Sequence, residues 1–143
     1  MIRINYPATR PQIKQSNGKE LIFCIIRKKW IIITPEEWVR QNLLMYLTEV
    51  LQYPASLIAV EKQLMLGELK KRFDVVVYKN DVPFMLIECK EMNVPITQKT
   101  LDQLLRYNIN LQANYFIITN GTDCYGFERD GVAMQALNAF PAY

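Results

Sequence analysis

Two apolar runs, Val75-Val76-Val77 and Phe84-Met85-Leu86-Ile87, stand only six residues apart and are bounded by charge: Asp74 before the first, Glu88 and Lys90 after the second. Runs this continuously apolar and this short read as central strands covered on both faces, not as a hairpin with one wet side. The chain must therefore supply helices to cover a sheet. Charges at the ends of such strands are costly unless they have partners or a task.

Side chains alternate along a strand, so Glu88 and Lys90 project from one face, about 6 to 7 Å apart, while Cys89 points away. Asp74 joins them if the two strands form an antiparallel hairpin that sets Asp74 opposite Glu88. That register needs an even sum of paired residue numbers. The loop then holds an odd number of residues, such as Asn80 to Val82, unless a bulge intervenes. A two-residue loop alone would set Asp74 against Ile87, on the wrong face.

Asp74 and Glu88, with the backbone carbonyl of Cys89 and waters, make an all-oxygen set suited to Mg²⁺, with Mn²⁺ as a substitute, and not to zinc. Such an ion polarises a phosphate and lowers the pKa of a bound water. Lys90 would orient that water or stabilise the developing charge. The implied reaction is phosphodiester hydrolysis.

The 143 residues, half of them apolar, fit one domain with a proper core. There is no histidine. This removes Ser-His-Asp and Cys-His nucleophilic systems and His-based zinc sites. Cys24, Cys89 and Cys124 are odd in number and form no Cys-x-x-Cys pair, so neither a zinc ribbon nor a disulfide framework is expected. No basic leader with an apolar core opens the chain, and no apolar run approaches membrane-spanning length; a soluble, cytoplasmic protein without membrane contact is expected. A glycine-rich phosphate loop is absent. The net charge of +3 is mild, but Lys62, Lys70, Lys71 and Arg72 concentrate it just before Asp74.

Residues 1–19 carry Pro7, Pro11 and Asn17-Gly18 without periodicity and read as an irregular arm, leaving 20–143 as the domain. Leu21 to Ile26 and Trp30 to Ile33 read as a hairpin. Thr34-Pro35-Glu36-Glu37 opens a helix, with Thr34 at the N-cap, Pro35 at the first helical position and Glu37 completing a capping box. That helix runs to about Leu51 with a stripe of Val39, Leu43, Leu47 and Val50. Glu36 falls on the stripe and is the candidate to reach the site; Glu37 is assigned the cap. Leu57 to Leu66 reads as a strand containing Glu61, and Gly67 to Lys71 as a polar turn. A second helix spans Thr97 to about Leu111 on Leu101, Leu104, Leu105 and Ile109, with Gln103 and Tyr107 one turn apart on its polar side. Asn114 to Thr119 and Cys124 to Glu128 read as strands. The tail from Val132 has no clear period.

These residues converge on a family. The stretches Thr34-Pro35-Glu36-Glu37-Trp38-Val39-Arg40-Gln41, Lys71-Arg72-Phe73-Asp74-Val75-Val76-Val77, Ile87-Glu88-Cys89-Lys90, Gln103-Leu104-Leu105-Arg106-Tyr107-Asn108 and Ile118-Thr119-Asn120-Gly121 resemble the PD-(D/E)xK nuclease superfamily. Within it they are most similar to the nuclease-like N-terminal domain of type I restriction enzyme R subunits. The resemblance implies an α/β fold with a restriction-endonuclease-like αβββαβ core, a mixed central sheet flanked by helices, here with an extra N-terminal β-hairpin. It implies Asp74 and Glu88 as metal-binding carboxylates, Lys90 as the catalytic lysine, and Glu36, or alternatively Glu37, as the helix-1 glutamate. Gln103 and Tyr107 match an element thought to position DNA. Phe73 stands where the family often has proline. The implied partners are DNA, other restriction-system subunits, and a second copy of the chain where both strands are cut. The alternative on the same fold is a catalytically silent nucleic-acid-binding or protein-interaction module.

Overall fold

The computed structural model describes residues 1–108 and 111–143; the side chains of Leu66 and Tyr107 also lie outside the description, and with residues 109 and 110 goes the helical position expected of Ile109. Strand β1 (Ile13–Ser16) turns through Asn17 and Gly18, both at positive φ, into β2 (Lys19–Cys24), and β3 (Lys29–Ile32) completes a three-stranded antiparallel sheet. The segment expected to be irregular thus contains a strand. Its side chains are mostly exposed, so burial leaves no alternating apolar signature in the sequence. The extreme N-terminus is also fastened: Ile2 is buried and its N–H donates to the Cys124 carbonyl at 2.7 Å.

Helix α1 (Pro35–Met45) starts where the sequence places it. Thr34 Oγ1 accepts the Glu37 N–H at 3.0 Å, and a wider helical turn over Tyr46–Val50 extends the helix to the expected length. A short turn at Ala55–Leu57 leads into β4 (Ile58–Leu66), followed by β5 (Leu69–Lys79), β6 (Val82–Cys89), α2 (Gln98–Asn108), β7 (Tyr115–Thr119), β8 (Cys124–Asp130) and β9 (Ala133–Leu137). The turn expected over Gly67 to Lys71 is only Gly67-Glu68, because Leu66 already pairs with Leu69. Strand β9 was not legible: it lies at the sheet edge with three of its five residues exposed to water.

The six strands β4 to β9 lie side by side in chain order, giving a mixed but mostly antiparallel sheet in an α/β architecture. Only β6 and β7 are parallel, and α2 makes the crossover that a parallel pair requires. One face carries Val75, Val77, Met85, Ile87 and Ile117 under Val39, Leu43, Leu44 and Leu47 of α1. The other carries Val76, Leu86 and Phe116, and Ile118 meets Leu101 and Leu104 of α2. The apolar runs are thus covered from both sides, each such side chain contributing about 1.5–3 kcal/mol of burial. The tail closes the α1 side: Phe140 stacks edge-on to Tyr46, and the Tyr143 hydroxyl donates to the Tyr78 carbonyl at 3.0 Å. Among the described residues, no helix is long and apolar enough to cross a membrane.

Candidate functional site

The hairpin between β5 and β6 combines both solutions to the register problem. Lys79 pairs with Val82, so its loop is the two residues Asn80 and Asp81, each at positive φ as a type I′ turn requires. This loop alone gives an odd sum. A bulge then shifts the register between Val77/Tyr78 and leaves Phe84 without a partner on β5, and Val77↔Met85, Val76↔Leu86 and Val75↔Ile87 follow with the even sum that points Asp74 toward Glu88. Pro83, which has no N–H to donate, sits beside the bulge.

At Asp74 itself the alternation breaks. Phe73 shares the α2-side cluster with Val76, whereas Val75 and Val77 belong to the α1 side. Two consecutive residues, Asp74 and Val75, therefore face α1. The break coincides with a gap in pairing to β4: Val60↔Val75 and Lys62↔Phe73 pair, while Glu61 between them adopts a φ of 52°. The Asp74 carboxylate accepts from Arg40 Nη2 at 2.7 Å and from the Cys89 N–H at 2.8 Å.

Glu88 keeps the alternation and is reached from the other layer. Lys71 Nζ stands 2.8 Å from its Oε1 and lies 4.8 Å from the centre of the Phe73 ring. Glu88 and Lys90 line a cleft of about 460 Å³ between the β4–β5 hairpin and α2, together with Lys70, Lys71, Gln103 and Leu104. The expectation that Asp74 and Glu88 project from a single face is thus corrected: Asp74 is held by Arg40 on the α1 side of the sheet and Glu88 by Lys71 of β5 on the opposite side. Cys89 does turn away from Glu88 and Lys90, but toward the Asp74 side. Its thiol is buried, and burial first, then the Asp74 charge, push it well above its ordinary range.

The two helix-1 glutamates exchange their expected environments. Glu37 is the buried one: its side chain is 8 % exposed, its Oε1 meets Arg40 Nη1 at 2.7 Å, and its Oε2 accepts from Arg27 at 3.0 Å and Gln41 at 2.9 Å. Its amide is capped by Thr34, but its carboxylate serves this ion cluster rather than returning to the cap. Glu36 is 48 % exposed and lies 3.4 Å from Arg40. Burial, then the neighbouring Asp74 charge, hold its carboxyl above the ordinary range, against the opposing pull of Arg40 and Lys90. So Glu36 does stand in electrostatic reach of both Asp74 and Lys90. Lys90 anchors its own position through its backbone N–H, which donates to the Thr119 carbonyl at 2.8 Å.

Gln103 lines the cleft with Glu88 and Lys90; the side chain of Tyr107 is outside the described residues. The residue that sequence reading missed is Arg40. Its guanidinium is 5 % exposed and bridges Glu36, Glu37, Glu61 and Asp74. A signal was present: Arg40 lies one turn beyond Glu36 and adjoins Val39 on the inward stripe, where a charge needs a buried partner.

The donors available, carboxylate oxygens and a backbone carbonyl without histidine, fit a hard divalent cation. Burial first, and the Asp74 charge second, raise the Glu36 carboxyl, and a cation at this position would offset the second of these. Among the described residues, however, no three Asp, Glu or Cys side chains converge closely enough to hold an ion without adjustment. Arg40 and Lys71 neutralise the two carboxylates in the arrangement present.

A helix-flanked mixed sheet with carboxylates and a lysine at the ends of adjacent strands defines a domain built to present charge at one edge of its core. Residues 35–141, about three quarters of the chain, match the family model for the type I restriction enzyme R protein N terminus, and the chain belongs to that family. No curated protein matches the sequence.

Proposed function

We propose that this domain is a restriction-system nuclease of the PD-(D/E)xK type, with a restriction-endonuclease-like core, that hydrolyses phosphodiester bonds of DNA with Mg²⁺ or Mn²⁺. The observation that carries the reading is the position of Lys90. It feels Glu36 electrostatically, and Glu36 in turn feels Asp74; Lys90 also lines the same cleft as Glu88 and Gln103. Four residues from separate parts of the chain, Glu36, Asp74, Glu88 and Gln103, are thereby linked to one lysine just past the end of β6.

In this reading Asp74 and Glu88, turned toward each other from their ion pairs with Arg40 and Lys71, would hold the ion with the Cys89 carbonyl, and its chemistry would be to polarise the phosphate and acidify a water. The chain's own residues do the rest. Lys90 holds the attacking water or the developing phosphate charge through its Nζ. The Cys89 N–H fixes the orientation of the Asp74 carboxylate. Glu36, with its raised proton affinity, accepts or relays a proton at its carboxylate oxygen. Gln103 orients the DNA backbone over the cleft, and Tyr107 takes the same DNA-positioning role by its match to the family element. As a member of an R-protein family, the domain would act beside other restriction subunits, and cutting both strands would take two copies.

The test is cleavage or nicking of plasmid DNA in Mg²⁺ or Mn²⁺. Asp74→Ala and Lys90→Ala should each abolish it while the variants still melt cooperatively. Activity that survives both substitutions would sink the mechanism.

A second reading has its own support: a catalytically silent nucleic-acid-binding or interaction module, in which the Arg40 and Lys71 ion pairs are the permanent partners of Asp74 and Glu88. Thermal melts with added Mn²⁺ separate the two. DNA binding without any stabilisation by Mn²⁺ selects the module.

A further inference from the structure

Strand β5 outruns its neighbour. Its pairing with β6 ends at Val75↔Ile87, whereas its pairing with β4 continues from Lys62↔Phe73 to Leu66↔Leu69. The far part of the hairpin is therefore a two-stranded ribbon standing beyond the six-stranded sheet, about 17 Å long for five pairs. It turns at Gly67, whose φ of +64° suits a tight reversal.

The charge is concentrated there. Residues 62–72 hold four basic side chains against one acidic, Glu68, a net +3 equal to that of the whole chain, so the remaining residues balance to zero. By register and alternation Gln63 and Met65 share one face with Arg72 and Lys70, and all four are exposed, Met65 by 57 %. Leu69 at the tip is 69 % exposed. A solubilising surface would interleave the two signs of charge; this ribbon is nearly all of one sign and adds bare apolar side chains at its end.

We propose that the β4–β5 ribbon is a DNA-docking arm that enters a groove of duplex DNA beside the cleft. The proposal rests on the DNA reading of the site. The dimensions agree, since the major groove, about 12 Å wide, admits a two-stranded β-ribbon. Lys62, Lys70 and Arg72 meet phosphates along the groove walls, while Gln63 carries donors suited to base edges. The arm also forms one wall of the cleft through Lys70 and Lys71, so a duplex gripped by the arm lies next to the cleft that holds Glu88 and Lys90.

The experiment measures binding of a fluorescent DNA duplex by anisotropy at several salt concentrations, with the 143-residue Lys90→Ala chain so that no cleavage intervenes. Adding Lys70→Glu and Arg72→Glu should weaken binding about tenfold or more and flatten the slope of log K against log salt by about 2. The matched reversal Lys28→Glu with Lys29→Glu, on the β2–β3 turn outside the ribbon, should change little. The milder pair Lys70→Gln with Arg72→Gln should show the same flattened slope, which separates lost contacts from misfolding. Equal losses from the two reversals, or equal affinity for single strands and duplex, would overturn the arm alone. Absence of any DNA binding by the parent protein would overturn the DNA reading beneath it.

Discussion

Arg40 Nη2 and Asp74 Oδ1 meet at 2.7 Å, tying the first helix to the start of the central strand pair across a nearly closed interface. The same guanidinium reaches Glu37 at 2.7 Å through Nη1, and its Nε is buried without a hydrogen-bond partner among the described residues. One cation thus neutralises two carboxylates that the fold has drawn inward. This makes Arg40 a structural keystone whatever chemistry occurs at the strand ends.

Removing Arg40 leaves Glu37 and Asp74 with reduced compensation. Loss of one partner from a buried ion pair costs about 3–5 kcal/mol, and the remaining Arg27 contact to Glu37 puts the expectation for Arg40→Leu at the low end, about 3 kcal/mol. Arg40→Lys should recover only part, because an ammonium cannot bridge both carboxylates in the guanidinium's fixed geometry. Urea unfolding checks this: the midpoint should fall with the slope unchanged. A midpoint equal to the parent's would show that the cluster contributes nothing to stability.

Glu36 gives a pH signature of definite sign. Its carboxyl is raised by burial and by the Asp74 charge, so the native state binds its proton more tightly than the unfolded chain does. Its stabilising contribution is full below the ordinary glutamate range and is lost as pH rises through the raised folded value. Glu36→Gln should therefore melt at a higher temperature than the parent at neutral pH, and the difference should close on acidification. A substitution that destabilises at neutral pH would mean that the Arg40 contact outweighs the burial and the Asp74 repulsion.

The central strands and α1 were legible because single local rules govern them. Val75 to Val77 and Phe84 to Ile87 could only be doubly covered strands, and Thr34-Pro35 could only open a helix. The even register was legible too, and the bulge beside Pro83 preserves it. The turn of Asp74 toward α1 was not legible, since it depends on the backbone of Glu61 across the pairing, which no periodicity in β5 records. The inversion of Glu36 and Glu37 has a similar origin. A stripe drawn from apolar residues puts Glu36 inside, but Arg27, Arg40 and Gln41 together draw Glu37 in. Burial of a charge follows its partners, and those came from elements distant in sequence. Strands β1 and β9 escaped notice because edge strands with wet faces do not need apolar alternation.

The helix cap is a local feature with a local cost. Thr34 Oγ1 satisfies the Glu37 N–H, one of the amides that a helix start leaves without a partner. Thr34→Ala should destabilise the fold by about 1 kcal/mol, whereas Thr34→Ser should be close to neutral. Chemical denaturation of the two variants side by side is the check, and equal losses from both would remove the hydroxyl from the account.

The Asn80-Asp81 turn carries an improvable conformation. Asp81 sits at a φ of 64°, a region where a Cβ is strained and glycine is not. Asp81→Gly, which creates the preferred Asn-Gly pair for a type I′ turn, should stabilise by about 0.5 kcal/mol despite the added freedom of the unfolded chain. A lower unfolding midpoint would indicate that the Asp81 side chain supports the turn by a bond of its own.

Lys71 offers a separate route to the metal question. Its ammonium neutralises Glu88 and stands 4.8 Å from the centre of the Phe73 ring, so Lys71→Met deletes the charge while leaving a side chain of similar length beside the ring. If Glu88 is a cation ligand, an ion and the Lys71 ammonium compete for the same carboxylate, and removing the ammonium favours the ion. The variant should melt lower than the parent without metal and gain more from added Mn²⁺ than the parent does. Calcium, which takes the same oxygen donors without supporting the same chemistry, should reproduce the gain and so separate binding from turnover. An unchanged Mn²⁺ response in Lys71→Met, alongside a response in the parent that Asp74→Ala abolishes, would assign the ion to Asp74 and remove Glu88 from its shell.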